Sequence, residues 1–149
     1  NDFLSGSTSW GLSGDSASSR QHAANDSANN TDDNLYGQAG DDVLIGTFGD
    51  NILDGGTGAD TIYSGHGSDT IVLRTGDGGS ALTDADTISD FTDGSDVLGL
   101  DDDLLYSQLT IAQSGSDTVI SVGSEYLAIL TGIDVSVLSE ADFTPVDIV

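Results

Sequence analysis

Four aspartates and one asparagine recur every nine positions: Asp33, Asp42, Asn51, Asp60 and Asp69. Two places before them stand Thr31, Gly40, Gly49, Gly58 and Gly67, and two places after them Leu35, Leu44, Leu53, Ile62 and Ile71. Carboxylates repeated at fixed spacing in glycine-rich turns suit the binding of a hard divalent cation. Ca2+ takes about six to eight oxygens from carboxylates and backbone carbonyls, at flexible geometry. Glycine-rich turns expose carbonyls, and the aspartate adds a carboxylate. A single Asp-Gly pair is an ordinary turn; three columns held in one register across ANNTDDNLY, GQAGDDVLI, GTFGDNILD, GGTGADTIY and SGHGSDTIV are not.

The elements that must position these residues follow from the same register. The first six places of each repeat are turn, where glycine permits positive φ and close backbone approach. The last three form a very short strand, whose central aliphatic points to one side while its neighbours point to the other. One repeat gives one strand and one turn, so two repeats make a coil. Successive coils stack as parallel strands in two sheets, with the eighth-place aliphatics between them. The expected fold class is all-β: a parallel β-roll (β-solenoid) of nonapeptide repeats with a C-terminal antiparallel β cap.

The repeats from 28 to 72 resemble the nonapeptide G-G-x-G-x-D-x-U-x of RTX (repeats-in-toxin) proteins, a calcium-binding family. The resemblance implies one ion between turns stacked on the same edge. The lower turn supplies the carbonyls of its second and fourth places and its Asp, the upper turn those of its first and third places and its Asp. Carried onto this chain, one ion takes Asn29, Thr31, Asp33, Gly46, Phe48 and Asn51. A second takes Thr47, Gly49, Asn51, Ser64, His66 and Asp69. On the opposite edge an ion takes Gln38, Gly40, Asp42, Gly55, Thr57 and Asp60. Two further sets are incomplete: Gly56, Gly58 and Asp60 with the degenerate turn near Asp77, and Gly65, Gly67 and Asp69 completed by Asp86. Asn51 lacks the charge of its column, so the two ions it serves are expected to be weaker. Gln38, Thr47 and Asn29 stand where the pattern has its second glycine.

Outside the repeats the register fails. Asn1–Ser5 looks like the tail of another repeat, and residues 6–27 read as an inserted loop, with Trp10 a packing anchor and His22 without an evident partner. After Val72 the pattern decays, then Asp86-Thr87-Ile88-Ser89-Asp90-Phe91 and Gly94-Ser95-Asp96 resemble the segment that closes the roll in secreted RTX metalloproteases. Strands are expected at 109–113, 118–122 and 126–130. The division is therefore 1–27, an irregular segment with a partial repeat; 28–81, the calcium-binding roll; and 82–149, a cap with a secretion signal.

Composition narrows the function. Two Lys+Arg against 26 Asp+Glu give a net charge of −24. Such self-repulsion opposes compaction unless cations neutralise it. Nucleic acid and anionic membranes, which need basic residues, are not expected as partners. Cysteine is absent, which removes disulfides and thiolate metal sites, and no apolar run is long enough for membrane insertion. There is no H-E-x-x-H, and the residues offer no catalytic set, so the chain is not expected to be an enzyme. The chain starts at Asn1 without a signal-peptide pattern and reads as a piece of a longer protein.

The family resemblance implies a secreted, extracellular or cell-surface module. It would bind Ca2+ and be exported by type I secretion machinery together with the upstream domains of a parent protein such as an adhesin. The candidate export signal is Leu138–Phe143 with Val146-Asp147-Ile148-Val149. The alternative is a polysaccharide-binding module like the R-modules of mannuronan epimerases. Only Arg20 and Arg74 are available to meet an acidic polymer such as alginate.

Overall fold

The computed structural model describes residues 32–148, together with the backbone of two short strands nearer the N-terminus. Its strands are β1 (Phe3–Ser5), β2 (Gln21–Ala23), β3 (Asn34–Tyr36), β4 (Val43–Ile45), β5 (Ile52–Asp54), β6 (Thr61–Tyr63) and β7 (Thr70–Leu73). They continue as β8 (Asp86–Ile88), β9 (Val97–Leu100), β10 (Leu109–Ser114), β11 (Asp117–Val122), β12 (Glu125–Leu130) and β13 (Phe143–Pro145). One sheet runs β1-β2-β4-β6-β8-β12-β11-β10, the other β13-β9-β7-β5-β3. Alternate repeats thus enter alternate sheets, and their strands pair in parallel with the eighth-place residues aligned: Leu44 opposite Ile62, Leu35 opposite Leu53, Leu53 opposite Ile71.

The inward column is dry. Leu44, Leu53, Ile62 and Ile71 have no exposed surface, and they join Ile88, Leu98, Leu127 and Leu130 in one core. Burying each such side chain stabilises the fold by about 1.5–3 kcal/mol. With three-residue strands this single column is nearly all the apolar burial a coil has. The outward residues Val43 and Ile45 are half-buried and Tyr63 is exposed. On the other sheet the outward residues Val72 and Asp54 are buried.

Both sheets extend past residue 81. β8 pairs in parallel with β6, and β9 with β7, so Ile88 and Leu98 continue the two inward columns after an interruption of the period. The cap is antiparallel where expected, β10 against β11 and β11 against β12. It is also welded to the roll in parallel, β12 beside β8 and β13 beside β9. The segment read as an inserted loop contains β2, whose His22 aligns with Leu4 on one side and Leu44 on the other. Trp10 lies outside the described residues.

Candidate metal centre

The turns between strands stack on two edges, and their backbones nearly touch. A Cβ on Gly56 would strike the carbonyl of Gln38, one on Gly58 that of Gly40, and one on Gly67 that of Gly49. These carbonyls belong to the second and fourth places expected to face an ion. Gln38 (φ 80°) and Thr47 (φ 70°) adopt the conformation that glycine has one coil later, at Gly56 (φ 88°) and Gly65 (φ 93°). The stack thus holds two non-glycine residues in a left-handed region that costs them about 1–2 kcal/mol each.

Along each edge the sixth-place residues form a ladder. The Asp42 amide donates to Asp60 Oδ1 at 2.7 Å, and the Asn51 amide to Asp69 Oδ1 at 2.8 Å. Each carboxylate thus receives the N–H of its counterpart one coil earlier. The second oxygens of Asp60 and Asp69 are buried and meet no hydrogen-bond donor. A buried anionic oxygen without a partner is costly, and these two belong to carboxylates expected to hold ions.

The ladder continues past the break in the period. The Asp60 amide donates to Asp86 Oδ1 at 2.9 Å, and the Asp69 amide to Asp96 Oδ1 at 3.1 Å. Asp86 therefore completes the edge of Asp42 and Asp60, not that of Gly65, Gly67 and Asp69 where the sequence pattern had placed it. The Asp69 edge is completed by Asp96 and Asp90. Asp90 Oδ1 accepts from the Ser64 amide at 2.7 Å and its Oδ2 from the Gly65 amide at 3.0 Å. Sequence reasoning missed both residues as site candidates, although D-x-I-x-D-F-x-x-G-x-D contains them.

It also missed a second, outer column. Asp32 Oδ1 accepts the Asp50 amide, Asp50 Oδ1 the Ser68 amide and Asp41 Oδ1 the Ala59 amide, at 2.8, 2.8 and 3.0 Å. These fifth-place aspartates clip each turn to the next in the direction opposite to the sixth-place ladder. Their own nine-residue recurrence was the available signal.

Electrostatics mark the inner carboxylates as short of positive charge. Burial, then the charge of neighbouring Asp42 and Asp41, pushes Asp60 up against the hydrogen bond that favours its ionised form. Burial and the facing Asp60 raise Asp86 further. Asp69 is pushed up to about 6 by burial and by Asp96, against the hydrogen bonds from Asn51. A divalent cation would reverse these shifts. Among the described residues no three Asp, Glu, His or Cys side chains converge on one point, so an ion here depends on the turn carbonyls for most of its ligands. Buried partnerless oxygens, stacked carbonyls and uncompensated carboxylates together fit Ca2+ at the Asp60 and Asp69 levels.

The remaining candidates divide. Asn29 and Thr31 lie outside the described residues. His66 is exposed and stacks on Phe48, with ring centroids 5.3 Å apart. Asp77 pairs with Arg74 at 3.0 Å through its side chain, while its carbonyl accepts the Gly58 amide at 3.2 Å. Arg74 also reaches Asp54 at 2.7 Å and Asp101 at 2.9 Å. The Arg74 guanidinium thus brings positive charge to that corner.

Residues 27–62 and 45–79 match the model of the RTX calcium-binding nonapeptide repeat. By sequence, no curated protein matches the chain. By fold it is similar to the extracellular lipase LipA of Serratia marcescens, at 20% identity and a TM-score of 0.60 over 83% of this chain. It spans only 19% of that lipase. It is also similar to the AlgE6R2 subunit of a mannuronan C5-epimerase from Azotobacter vinelandii, at 25% identity and a TM-score of 0.50, over 75% of this chain and 86% of that one.

Proposed function

Because residues 27–79 are RTX calcium-binding nonapeptide repeats, we propose that this chain is a module that folds on extracellular Ca2+ and supports type I secretion and folding of a larger bacterial protein such as an adhesin. The observation that carries the first half is the partnerless buried oxygens of Asp60 and Asp69. Below micromolar calcium these carboxylates repel one another and the single aliphatic column cannot offset chain entropy. Ca2+ binding then becomes folding free energy. Ions would lie between successive rungs, Asp42 with Asp60 and Asp60 with Asp86 on one edge and Asp69 with Asp96 on the other, where Asp90 stands nearby, each held mostly by turn carbonyls.

The secretion half rests on the same chemistry. An export channel passes an unfolded chain, and a net charge of −24 keeps the calcium-free chain expanded and soluble. Extracellular calcium modules work at about 10⁻⁴–10⁻³ M, a concentration met only after export. Residues 82–149 would carry the signal. Residue 81 is then a boundary of function rather than of packing, since β8 and β9 extend both sheets beyond it. Membership of a larger protein is supported by the lipase, in which this fold fills a fraction of the chain.

Binding of an acidic polysaccharide has less support. Arg74, the one Lys or Arg among the described residues, is consumed by Asp54, Asp77 and Asp101.

Circular dichroism during a calcium titration tests the proposal. A β-rich spectrum is expected to appear with Ca2+ and vanish with chelator, and Mg2+ is not expected to substitute, because it demands small octahedral sites. A β-rich spectrum indifferent to chelator would overturn it.

A further inference from the structure

Asn51 occupies a column that otherwise carries carboxylates, and its surroundings differ from those of Asp60 and Asp69 in one respect. Its Oδ1 accepts the Asp33 amide at 2.9 Å, the same rung that Asp60 and Asp69 make. That bond fixes the orientation of the amide. Turned over, Nδ2 would be a donor set against the Asp33 N–H, another donor. The atom standing in place of the second carboxylate oxygen is therefore nitrogen.

That nitrogen is well partnered. Nδ2 lies 3.3 Å from the Gly46 carbonyl, 3.4 Å from Phe48, 3.2 Å from Gly49 and 3.1 Å from Asp69 Oδ1. Where Asp60 and Asp69 bury an oxygen that meets no donor, Asn51, 1% exposed, buries a donor among four acceptors. Gly46 and Phe48 are carbonyls expected to face the ion below this turn, and Gly49 and Asp69 are groups expected to face the ion above it. An amide nitrogen bearing two hydrogens has no lone pair to offer a cation.

We propose that Asn51 is an uncharged plug: its amide gathers the oxygens of its own turn in place of Ca2+, so that this turn binds no ion through its sixth-place side chain. The proposal rests on the calcium-roll function above. It replaces the expectation that Asn51 is a weak ligand with the statement that it is not a ligand. The plug keeps one edge of the roll clipped, turn 46–51 to turn 64–69, without a cation. It also leaves the roll without the two ions, one on each side of this turn, that an all-aspartate column would hold there.

Equilibrium dialysis at saturating calcium, on the full chain with its fold checked by circular dichroism, counts the ions bound to wild type, Asn51→Asp and Asn51→Ala. Asn51→Asp, which returns a carboxylate to both sites, is expected to bind at least one and up to two ions more than wild type. Asn51→Ala, which removes no ligand, is expected to bind the same number as wild type. An unchanged count for Asn51→Asp, or one ion fewer for Asn51→Ala, overturns the proposal and leaves the calcium-roll function standing. A wild-type count of zero overturns both. Either variant alone decides, so failure of one to fold does not protect the idea.

Discussion

Asp60 donates its backbone amide to Asp86 Oδ1 across 26 residues, where the preceding rung, Asp42 to Asp60, spans 18. The ladder is therefore kept while extra residues are looped out between β7 and β8. On the other edge the rung from Asp69 to Asp96 spans 27. The same lengthening appears in the core, where Ile62 aligns with Ile88 and Ile71 with Leu98.

Pairwise coupling checks this register. Asp60→Asn and Asp86→Asn are each expected to raise the calcium midpoint of folding, and together to raise it by less than the sum, because both disable one ion. Asp86→Asn and Asp69→Asn, on different edges, are expected to add within about 0.5 kcal/mol. Additivity in the first pair and coupling in the second would return Asp86 to the Asp69 edge.

The strained second places offer a gain in stability. Thr47 is β-branched and sits at φ 70°, Gln38 at φ 80°. Thr47→Gly is expected to stabilise the calcium-loaded fold by about 1 kcal/mol, the relief of left-handed strain less the added chain entropy. Gln38→Gly follows with a smaller gain. Urea unfolding at fixed calcium measures both, and destabilisation by Thr47→Gly would show that its side chain does more than the turn needs.

Arg74 holds three segments with one side chain: Asp54 in β5, Asp77 in the degenerate turn and Asp101 after β9. Asp54 and Asp101 are buried. Arg74→Ala strands their charges and is expected to cost about 3 kcal/mol or more at saturating calcium. Arg74→Lys is expected to recover part of this, since an ammonium cannot make the forked contacts. Thermal unfolding ranks the three proteins, and equal midpoints would mean that calcium, not Arg74, secures this corner.

The cap is expected to be required for the repeats to fold. Leu98, Leu127 and Leu130 share one core with Ile71 and Ile88, and Asp86, Asp90 and Asp96 complete both ladders from beyond residue 81. Chain 1–81 is expected to show no calcium-induced β structure up to about 10 mM, roughly tenfold above the working range of extracellular modules. Folding of 1–81 at the midpoint of the whole chain would show that the repeats are self-sufficient.

What the sequence determined by itself is local and periodic. Nine-residue spacing of Gly, Asp and an aliphatic sets turn, strand and inward direction together, because side chains alternate along a strand and glycine marks where the backbone turns back. Two parallel sheets, a dry Leu–Ile column and ladders of sixth-place aspartates follow from that period, and all are present. Periodicity stops where residues are inserted. The family pattern, carried past the break, assigned Asp86 to Asp69, while the core placed Ile88 beside Ile62 and carried Asp86 under Asp60. Only packing could decide this, because loop length costs little free energy and a buried aliphatic column costs much to misalign. Likewise β2 was hidden inside a polar stretch whose backbone still found a parallel partner. At Asn51 the sequence announced a missing charge. Which atom of the amide faces the turn was settled by the Asp33 N–H, a donor supplied by a neighbouring coil.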